Sequence, residues 1–327
     1  MPRTGYVIGV DLGGTSIRAA AFSPSGDVLA RASLPTQARQ GKARVVANLV
    51  RLTKKIEQKA KAGPFLALGV GFAGVLDEKR EVVVKSPNLP GWESFDLKAH
   101  LVHEIKKPVI LENDANAGAV GEKWLGAAKQ LENFMLITLG TGVGSGIVLN
   151  GKLWPGAAGR GGEFGHTKVV RQGWPCACGG RGCLEAYVSG RAITRMAKQA
   201  IEQGKSSLLG RFKAIDPEEV QQAGQRGDKA ALGIYQRVGR YLGLAIANVV
   251  NLLDLTQFVM AGSISNAYDL FVPSLRAEMN NQILGGGSER VEIIKAQCED
   301  AGVCGSAYLA LMAAGCSPPS FLENDSA

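Results

Sequence analysis

The stretch Y-V-I-G-V-D-L-G-G-T-S-I-R-A-A-A-F at residues 6–22 places a glycine turn between two apolar runs, each with the composition of a β-strand. Asp11 stands at the end of the first predicted strand. Gly13 and Gly14 allow backbone N–H groups and the Thr15 hydroxyl to approach a phosphate group closely. Asp11 is suited to hold a magnesium ion beside that phosphate, directly or through water. On its own, the stretch is equally typical of an ordinary β-hairpin.

The same design returns at residues 134–149, F-M-L-I-T-L-G-T-G-V-G-S-G-I-V-L, where another strand leads into another glycine loop. This second loop offers Gly140, Thr141, Gly142 and Gly144 to a phosphate. Two strand–loop–strand segments in one chain are far more specific than one. They predict a duplicated α/β core in which each half binds part of a nucleotide's phosphate tail.

The chain length of 327 residues exceeds that of one ordinary core, so two lobes are predicted. The composition, 46% hydrophobic and 20% charged, is that of a soluble globular enzyme. No apolar run reaches 18 residues and the amino terminus leads straight into a strand, so neither a membrane span nor a signal peptide is expected. The cysteines are interpreted as reduced thiols or metal ligands, which favours a cytoplasmic location.

Much of the formal charge of +8 lies in one predicted helix between residues 39 and 61. Its apolar residues fall on one helical face, and its basic residues therefore cover the other. That basic face is either a solvated surface or a binding surface for a polyanion. The basic residues are Arg39, Lys42, Arg44, Arg51, Lys54, Lys55, Lys59 and Lys61.

A cysteine cluster occupies the segment H-T-K-V-V-R-Q-G-W-P-C-A-C-G-G-R-G-C-L-E at residues 166–185. Short glycine-rich spacers allow the thiolates of Cys176, Cys178 and Cys183 to turn towards one point. With the imidazole of His166 they supply the tetrahedral donor set of a structural zinc ion. The alternative is three buried cysteines that bind no metal.

Two further segments carry polar residues suited to a sugar. In E-N-D-A-N-A at residues 112–117, Asp114 follows a predicted strand and opens a helix, where it is either a general base or a helix cap. Asn113 can both donate to and accept from hydroxyl groups. The loop S-P-N-L-P-G-W at 86–92 offers Asn88 and Trp92 as a sugar-binding rim, or is an ordinary turn.

These motifs together resemble a known family. The two glycine loops and the E-N-D-A-N-A segment look like the actin/hexokinase/Hsp70 superfold. The E-F-G-H of residues 163–166, joined to C-x-C-G-x-x-G-C-x-E, resembles the ROK family of sugar kinases and sugar-responsive repressors. The resemblance implies an α/β fold with two actin-like, ribonuclease H-like lobes, a central cleft and an inserted zinc-binding loop. ROK repressors carry a DNA-binding module ahead of the first strand. Only five residues precede that strand here, too few for such a module. A kinase that binds no nucleic acid is therefore expected.

Within the family the chain looks most like bacterial glucokinases, which implies transfer of the γ-phosphoryl group of ATP to the 6-hydroxyl of glucose. Asp114 is then the catalytic base. The residues implied to contact the sugar are Gly74, Asn88, Asn113, Asp114, Glu163, His166 and Glu185. Magnesium and phosphates are assigned to Asp11, Gly13, Gly14, Thr15, Gly140, Thr141, Gly142 and Gly144, and the adenosine to Gly262. Family members often have a glycine run where this chain has Ala261-Gly262-Ser263, a departure from the family pattern beside the implied adenine pocket.

The expected lobes are residues 1–116, with a carboxy-terminal helix at about 303–327 packing back on them, and residues 117–302, with the zinc loop at 166–185. A homodimer is expected from the resemblance. Because the glycine loops are separate from the cysteines in sequence, loss of zinc is expected to weaken sugar binding more than nucleotide binding. The alternatives are another hexose as acceptor, polyphosphate as donor, a catalytically silent sugar sensor, or a zinc-ribbon nucleic-acid binder.

Overall fold

The computed structural model describes residues 5–86, 89, 91–204, 208–212 and 214–316. The strands are β1 Tyr6–Leu12, β2 Ser16–Phe22, β3 Val28–Pro35, β4 Phe65–Phe72, β5 Val75–Leu76, β6 Val82–Lys85, β7 Phe95–Asp96, β8 Val109–Asn113, β9 Phe134–Leu139, β10 Val143–Leu149, β11 Lys152–Leu153, β12 Gln257–Ala261 and β13 Glu292–Lys295. The α-helices are α1 Lys42–Ala60, α2 Leu97–Ile105, α3 Asp114–Leu125, α4 Glu185–Val188, α5 Gly190–Glu202, α6 Pro217–Gln225, α7 Lys229–Leu253, α8 Tyr268–Gln282 and α9 Ala301–Ala313.

The chain divides into two compact units. Unit 1 comprises Met1–Phe134, Gly146–Gly162 and Ala296–Ala327, and unit 2 comprises Met135–Ser145 and Glu163–Lys295. Helix α3 therefore belongs to unit 1 along its whole length. The lobes expected from the sequence start from a different boundary, at residue 116, and stay a prediction.

Unit 1 contains a five-stranded sheet with the order β3-β2-β1-β4-β8. The first three strands are antiparallel, whereas β4 pairs parallel with both β1 and β8. Successive residues of β1 point to opposite faces, so Ile8 and Val10 share a core with α1 while Val7 shares one with α9. Strand β1 is buried on both faces, which explains its nearly continuous apolar sequence.

Helix α9 packs directly on the backbone of this sheet. A Cβ atom on Gly9 would overlap the carbonyl oxygen of Val303, and one on Gly69 would overlap that of Ser306. Glycine is required at both strand positions because no side chain fits between strand and helix. The last helix of the chain therefore covers the first strand of unit 1.

The second five-stranded sheet has the order β11-β10-β9-β12-β13, which repeats the pattern of the first. Strand β12 pairs parallel with β9 and β13, and β10 pairs antiparallel with β11. The duplicated α/β core predicted from the two glycine loops is confirmed. In unit 2 the long helix α7 packs along α8.

Two expectations outside the sheets have opposite outcomes. The apolar face of the basic helix is confirmed, since Val45, Leu49 and Ile56 of α1 are fully buried. The sugar-rim role suggested for Trp92 is wrong, because its ring is buried and packs against Phe72 with centroids 5.2 Å apart. An aromatic ring in a Pro/Gly loop gains more from joining the core than from contact with solvent.

Candidate active site and metal centre

The first glycine loop connects β1 and β2 in unit 1. The Gly13 N–H donates to the Ser16 carbonyl at 3.1 Å, which closes the turn. Thr36 fixes the loop from the end of β3, because its Oγ1 donates to the Gly13 carbonyl at 2.6 Å and its N–H donates to the Thr15 carbonyl at 2.9 Å. Gly14 lies half-buried at the tip and Thr15 is exposed, so both are accessible to a ligand.

Asp11, at the end of β1, is held by an arginine that the sequence reasoning did not include. Arg18 Nη2 lies 2.5 Å from Asp11 Oδ2, and Arg18 Nη1 lies 2.6 Å from Asp300 Oδ1. Burial raises the pKa of Asp11 above its ordinary value, and the Arg18 charge opposes that shift. Arg18 thus connects β2, the end of β1 and the residue that precedes α9.

Asn113 and Asp114 lie where β8 ends and α3 begins. Asn113 caps the helix, since its Oδ1 accepts from the N–H groups of Ala115 and Asn116 at 2.9 and 3.1 Å. Its Nδ2 donates to the Gly74 carbonyl at 3.2 Å, which brings these two predicted sugar-binding residues together. Asp114 lies half-buried in the first helical turn, where backbone N–H groups stabilise a carboxylate. Asn88 lies outside the described residues.

Glu112 and Arg80 support this corner and were not identified from the sequence. Glu112 Oε1 accepts from the Asn113 N–H at 2.8 Å and from Asn116 Nδ2 at 3.0 Å. Arg80 Nε lies 3.0 Å from the same oxygen, and both side chains are largely buried, at 16% and 10% exposure. This network fixes the backbone that carries Asn113 and Asp114. Its one sequence signal is a glutamate in an otherwise apolar strand.

Arg80→Met is expected to lower the free energy of unfolding by about 3–5 kcal/mol, because Glu112 would remain as a buried carboxylate without its cation. Urea denaturation of the purified protein measures this. The matched control is Lys98→Met, which removes the exposed ion pair with Glu81 and should change stability by less than about 1 kcal/mol. Equal losses in the two variants would show that the Arg80–Glu112 pair has no special role.

The four predicted metal ligands converge in unit 2. The ligand atoms of His166, Cys176, Cys178 and Cys183 all lie within 4.8 Å of one another. Cys178 Sγ is 3.7 Å from Cys183 Sγ, and Cys176 Sγ is 3.7 Å from His166 Nδ1. A tetrahedral zinc ion with bonds of about 2.0–2.3 Å requires ligand separations of about 3.6–3.8 Å. Both the donor types and the spacing therefore fit zinc.

Charged groups surround this cluster. Lys168 Nζ lies 2.7 Å from Cys183 Sγ. Its positive charge there offsets the negative charge that the cysteines carry as thiolates. Burial raises the pKa of Cys176 to about 12, and a bound cation would favour its thiolate form. Glu163 Oε2 lies 3.9 Å from His166 Nε2, the ring nitrogen that faces away from the sulfurs. A glutamate in this place can orient a metal-bound imidazole.

Glu185 joins the metal cluster to the second glycine loop. Its Oε1 lies 3.5 Å from Cys176 Sγ, and its Oε2 accepts from the Val143 N–H at 3.0 Å. A Cβ atom on Gly142 would lie 2.6 Å from Oε2, so a side chain at this position would displace the Glu185 carboxylate. The sequence motif predicts a sugar contact for Glu185 but gives no sign of its hydrogen bond to the loop.

A cavity of about 740 Å³ lies beside this loop, lined by Gly140 and Thr141 together with one face of α5 and Ser263. Helix α5 begins at the loop, since the Gly190 N–H donates to the Gly140 carbonyl at 2.8 Å. Its cavity-lining cations were missed by sequence reasoning, although their spacing of four and three residues marks one helical face. They are Arg191, Arg195 and Lys198.

Gly262 follows β12 at the same edge, with φ of 89°. A side chain there would overlap the backbone of Leu139 at the end of β9, and the next residue, Ser263, lines the cavity. A cavity lined by positive side chains, beside a glycine loop and a helix amino terminus, suits a polyphosphate ester such as a nucleotide.

Duplicated mixed sheets with paired glycine loops define an α/β protein of the actin-like class. The ROK family model matches residues 7–313, and the chain belongs to the ROK family. A glucokinase of Halalkalibacterium halodurans is 35% identical over 312 residues, which cover 93% of this chain and 94% of that protein. A xylose repressor of Caldicellulosiruptor bescii is 30% identical over 283 residues, which cover 85% of this chain and 71% of the repressor.

Among solved structures, a ROK family glucokinase from Streptomyces griseus, in complex with glucose and AMPPNP, matches with a TM-score of 0.80 and 33% identity. The match covers 94% of this chain and all of that one. The family resemblance inferred from the cysteine and glycine motifs is confirmed. In the part of the chain that the structure describes, no helix combines the length and apolar character needed to cross a membrane.

Proposed function

We propose that the protein is an ATP-dependent glucokinase that transfers the γ-phosphoryl group of ATP to the 6-hydroxyl of glucose. The observation that carries the proposal is the similarity to a glucokinase, 35% identity over 93% of the chain. Asp114 stands at the start of α3 in this chain. Asp114 accepts the proton of the attacking hydroxyl. Besides this one base, phosphoryl transfer needs mainly the correct positioning of the two substrates and stabilisation of the charge on the transferred phosphoryl group.

The remaining roles follow the chemistry of the side chains. Asn113, Glu163, His166 and Glu185 bind sugar hydroxyls, with Asn88 and the backbone at Gly74 completing the set. The two glycine loops bind phosphates, and the cavity beside Gly140 accepts the nucleotide, with Gly262 near its adenosine. Asp11 would hold magnesium through water, since Arg18 already binds its carboxylate. The bound ion would neutralise charge on the phosphates.

The metal of the cysteine cluster is a structural zinc ion, which His166, Cys176, Cys178 and Cys183 would hold. The support for this assignment is the convergence of three cysteine sulfurs and one imidazole, whose ligand atoms all lie within 4.8 Å of one another. The ion closes the loop that carries Glu163, His166 and Glu185, so that these side chains keep fixed positions.

A coupled kinase assay with ATP over a panel of hexoses and 2-acetamido sugars tests the proposal. Glucose is expected to have the highest kcat/KM, and N-acetylmannosamine, N-acetylglucosamine, mannose and fructose lower values. Absence of sugar-dependent ATP turnover with every acceptor would refute the kinase assignment and favour a silent sugar sensor. A second arm replaces ATP with polyphosphate at fixed glucose, because exposed cations on α1, among them Arg51, Lys54 and Lys55, suit a linear polyanion.

The working form is a homodimer, and an exposed leucine cluster supports it. Leu252 and Leu284 are 81% and 90% exposed, and Asn251 Oδ1 accepts from the Leu284 N–H at 3.0 Å, which joins the end of α7 to the segment after α8. Leu252→Asp with Leu284→Asp is expected to convert the dimer to a monomer in analytical ultracentrifugation, because apolar residues of this kind favour burial in an interface. The control is Val102→Asp at a 40% exposed site. An unchanged mass in the double variant would place the interface elsewhere.

A further inference from the structure

The metal loop contains an aromatic side chain that none of the proposed roles uses. The Trp174 carbonyl accepts from the Gly182 N–H at 2.8 Å, and Gly182 precedes the ligand Cys183. Trp174 itself lies two residues before the ligand Cys176. Closure of the metal site therefore constrains the backbone of Trp174 from both sides.

The ring of Trp174 connects this loop to helix α5. It stacks on Tyr187 with centroids 4.8 Å apart and an interplanar angle of 9°, and the Trp174 N–H donates to the Tyr187 hydroxyl at 2.7 Å. The guanidinium carbon of Arg195 lies 3.7 Å from the centroid of the Trp174 ring, which is within the range of a cation–π interaction. Arg195 Nη2 also donates to the Ala186 carbonyl at 2.6 Å.

Arg195 is at the same time one of the cations that line the cavity beside Gly140 and Thr141. Trp174 is not among the residues that line this cavity. A second connection runs through Glu185, whose carboxylate approaches Cys176 and accepts from the Val143 N–H in the glycine loop. One chain of contacts therefore leads from the metal ligands to the cavity-lining Arg195, and a second leads to the glycine loop, both within unit 2.

We propose that zinc binding controls nucleotide affinity, because the closed metal loop holds Trp174 against Arg195 and so fixes a cation that faces the nucleotide phosphates. The proposal rests on the proposed function, since it takes the cavity as the nucleotide site. Trp174 is a positioning residue, which acts on the nucleotide only through Arg195. The expectation from sequence that zinc loss weakens sugar binding more than nucleotide binding stays a prediction. These contacts add an effect on the nucleotide to it.

The proposal requires a reciprocal effect. If zinc raises the affinity for a nucleotide by some factor, the nucleotide must raise the affinity for zinc by the same factor. The AMPPNP affinity of the zinc-loaded protein is therefore compared, by isothermal titration calorimetry, with that of protein treated with a chelator that removes zinc and spares magnesium. We expect zinc removal to weaken AMPPNP binding about tenfold, within the usual range of coupling between sites. In equilibrium competition with the chelator, AMPPNP should raise the zinc affinity of the protein by the same factor.

Trp174→Leu tests the route through the ring. In the zinc-loaded variant, AMPPNP affinity should fall towards that of the zinc-free wild type, and zinc removal should then have little further effect. Trp174→Phe keeps an aromatic face and should recover part of the coupling. Trp154→Leu, at an exposed tryptophan of unit 1, should behave as the wild type.

Unchanged AMPPNP affinity after zinc removal from the wild type would overturn the proposal. An equal effect of zinc removal in wild type and Trp174→Leu would overturn the route through Trp174. If Trp174→Leu fails to retain zinc, the wild type is compared with Trp174→Phe instead. AMPPNP should protect bound zinc from the chelator more strongly in the wild type than in Trp174→Phe, and equal protection would overturn the route through Trp174. Failure of the zinc-loaded wild type to bind AMPPNP would instead refute the proposed function.

Discussion

Asp114→Asn is expected to lower kcat for glucose by about 10²–10⁴-fold, the usual contribution of a general base. The amide cannot accept the proton of the attacking hydroxyl. It keeps the size of the carboxylate and can still accept the Ala115 N–H, which lies 2.9 Å from Asp114 Oδ1. Glucose binding, measured by isothermal titration calorimetry, should therefore persist while turnover in the coupled assay is nearly lost.

The matched control is Asp96→Asn, which also changes an aspartate at a helix start of unit 1. Asp96 caps α2 by accepting from the Ala99 N–H at 2.8 Å, and asparagine caps a helix about as well as aspartate. This control should keep both its kcat and its stability. Turnover near the wild-type value in purified Asp114→Asn would remove Asp114 from the catalytic role.

Cys178→Ser is expected to remove the zinc ion and to lower kcat/KM for glucose by about 100-fold. A serine hydroxyl is a poor replacement for a thiolate ligand. With the site open, Glu163, His166 and Glu185 lose their fixed positions, and a displacement of about 1 Å is enough for a loss of that size. Elemental analysis of the purified variant measures zinc content, and steady-state kinetics measure the loss of activity.

Cys298→Ser serves as the control, because Cys298 is a half-buried free thiol in unit 1, outside the metal cluster. It should retain zinc and normal glucose kinetics. A Cys178→Ser protein that lacks zinc and still phosphorylates glucose normally would contradict the structural role of the metal. Retention of zinc in Cys178→Ser would contradict the ligand assignment.

The sequence was most informative where local chemistry determines structure. The glycine loops at Gly13 and Gly140 predicted the duplicated sheets, because the same strand–loop–strand design occurs twice in one chain. The cysteine spacing predicted convergence at one point, and the four ligand atoms do converge. Asp114 was placed correctly at a helix start, although its catalytic role stays a prediction.

Other features depend on contacts between residues that are far apart in the chain. Arg80 and Glu112 are separated by a loop, two strands and a helix, and nothing in either local sequence indicates that they pair. The same holds for Arg18 with Asp300 and for Trp174 with Arg195. Trp92 was misjudged for a related reason, since its burial depends on Phe72 and Phe95 rather than on the loop that carries it.

The packing of α9 against Gly9 and Gly69 has a consequence for synthesis on the ribosome. Strands β1 and β4 emerge early, but the helix that covers one of their faces spans Ala301–Ala313 and emerges near the end of translation. Until then the apolar residues Val7 and Ala67 lack their packing partners on α9. All of unit 2 has already been synthesised by that time, since it ends at Lys295. The nascent chain therefore carries an incomplete amino-terminal sheet through most of its synthesis, a period in which chaperones would protect it from aggregation.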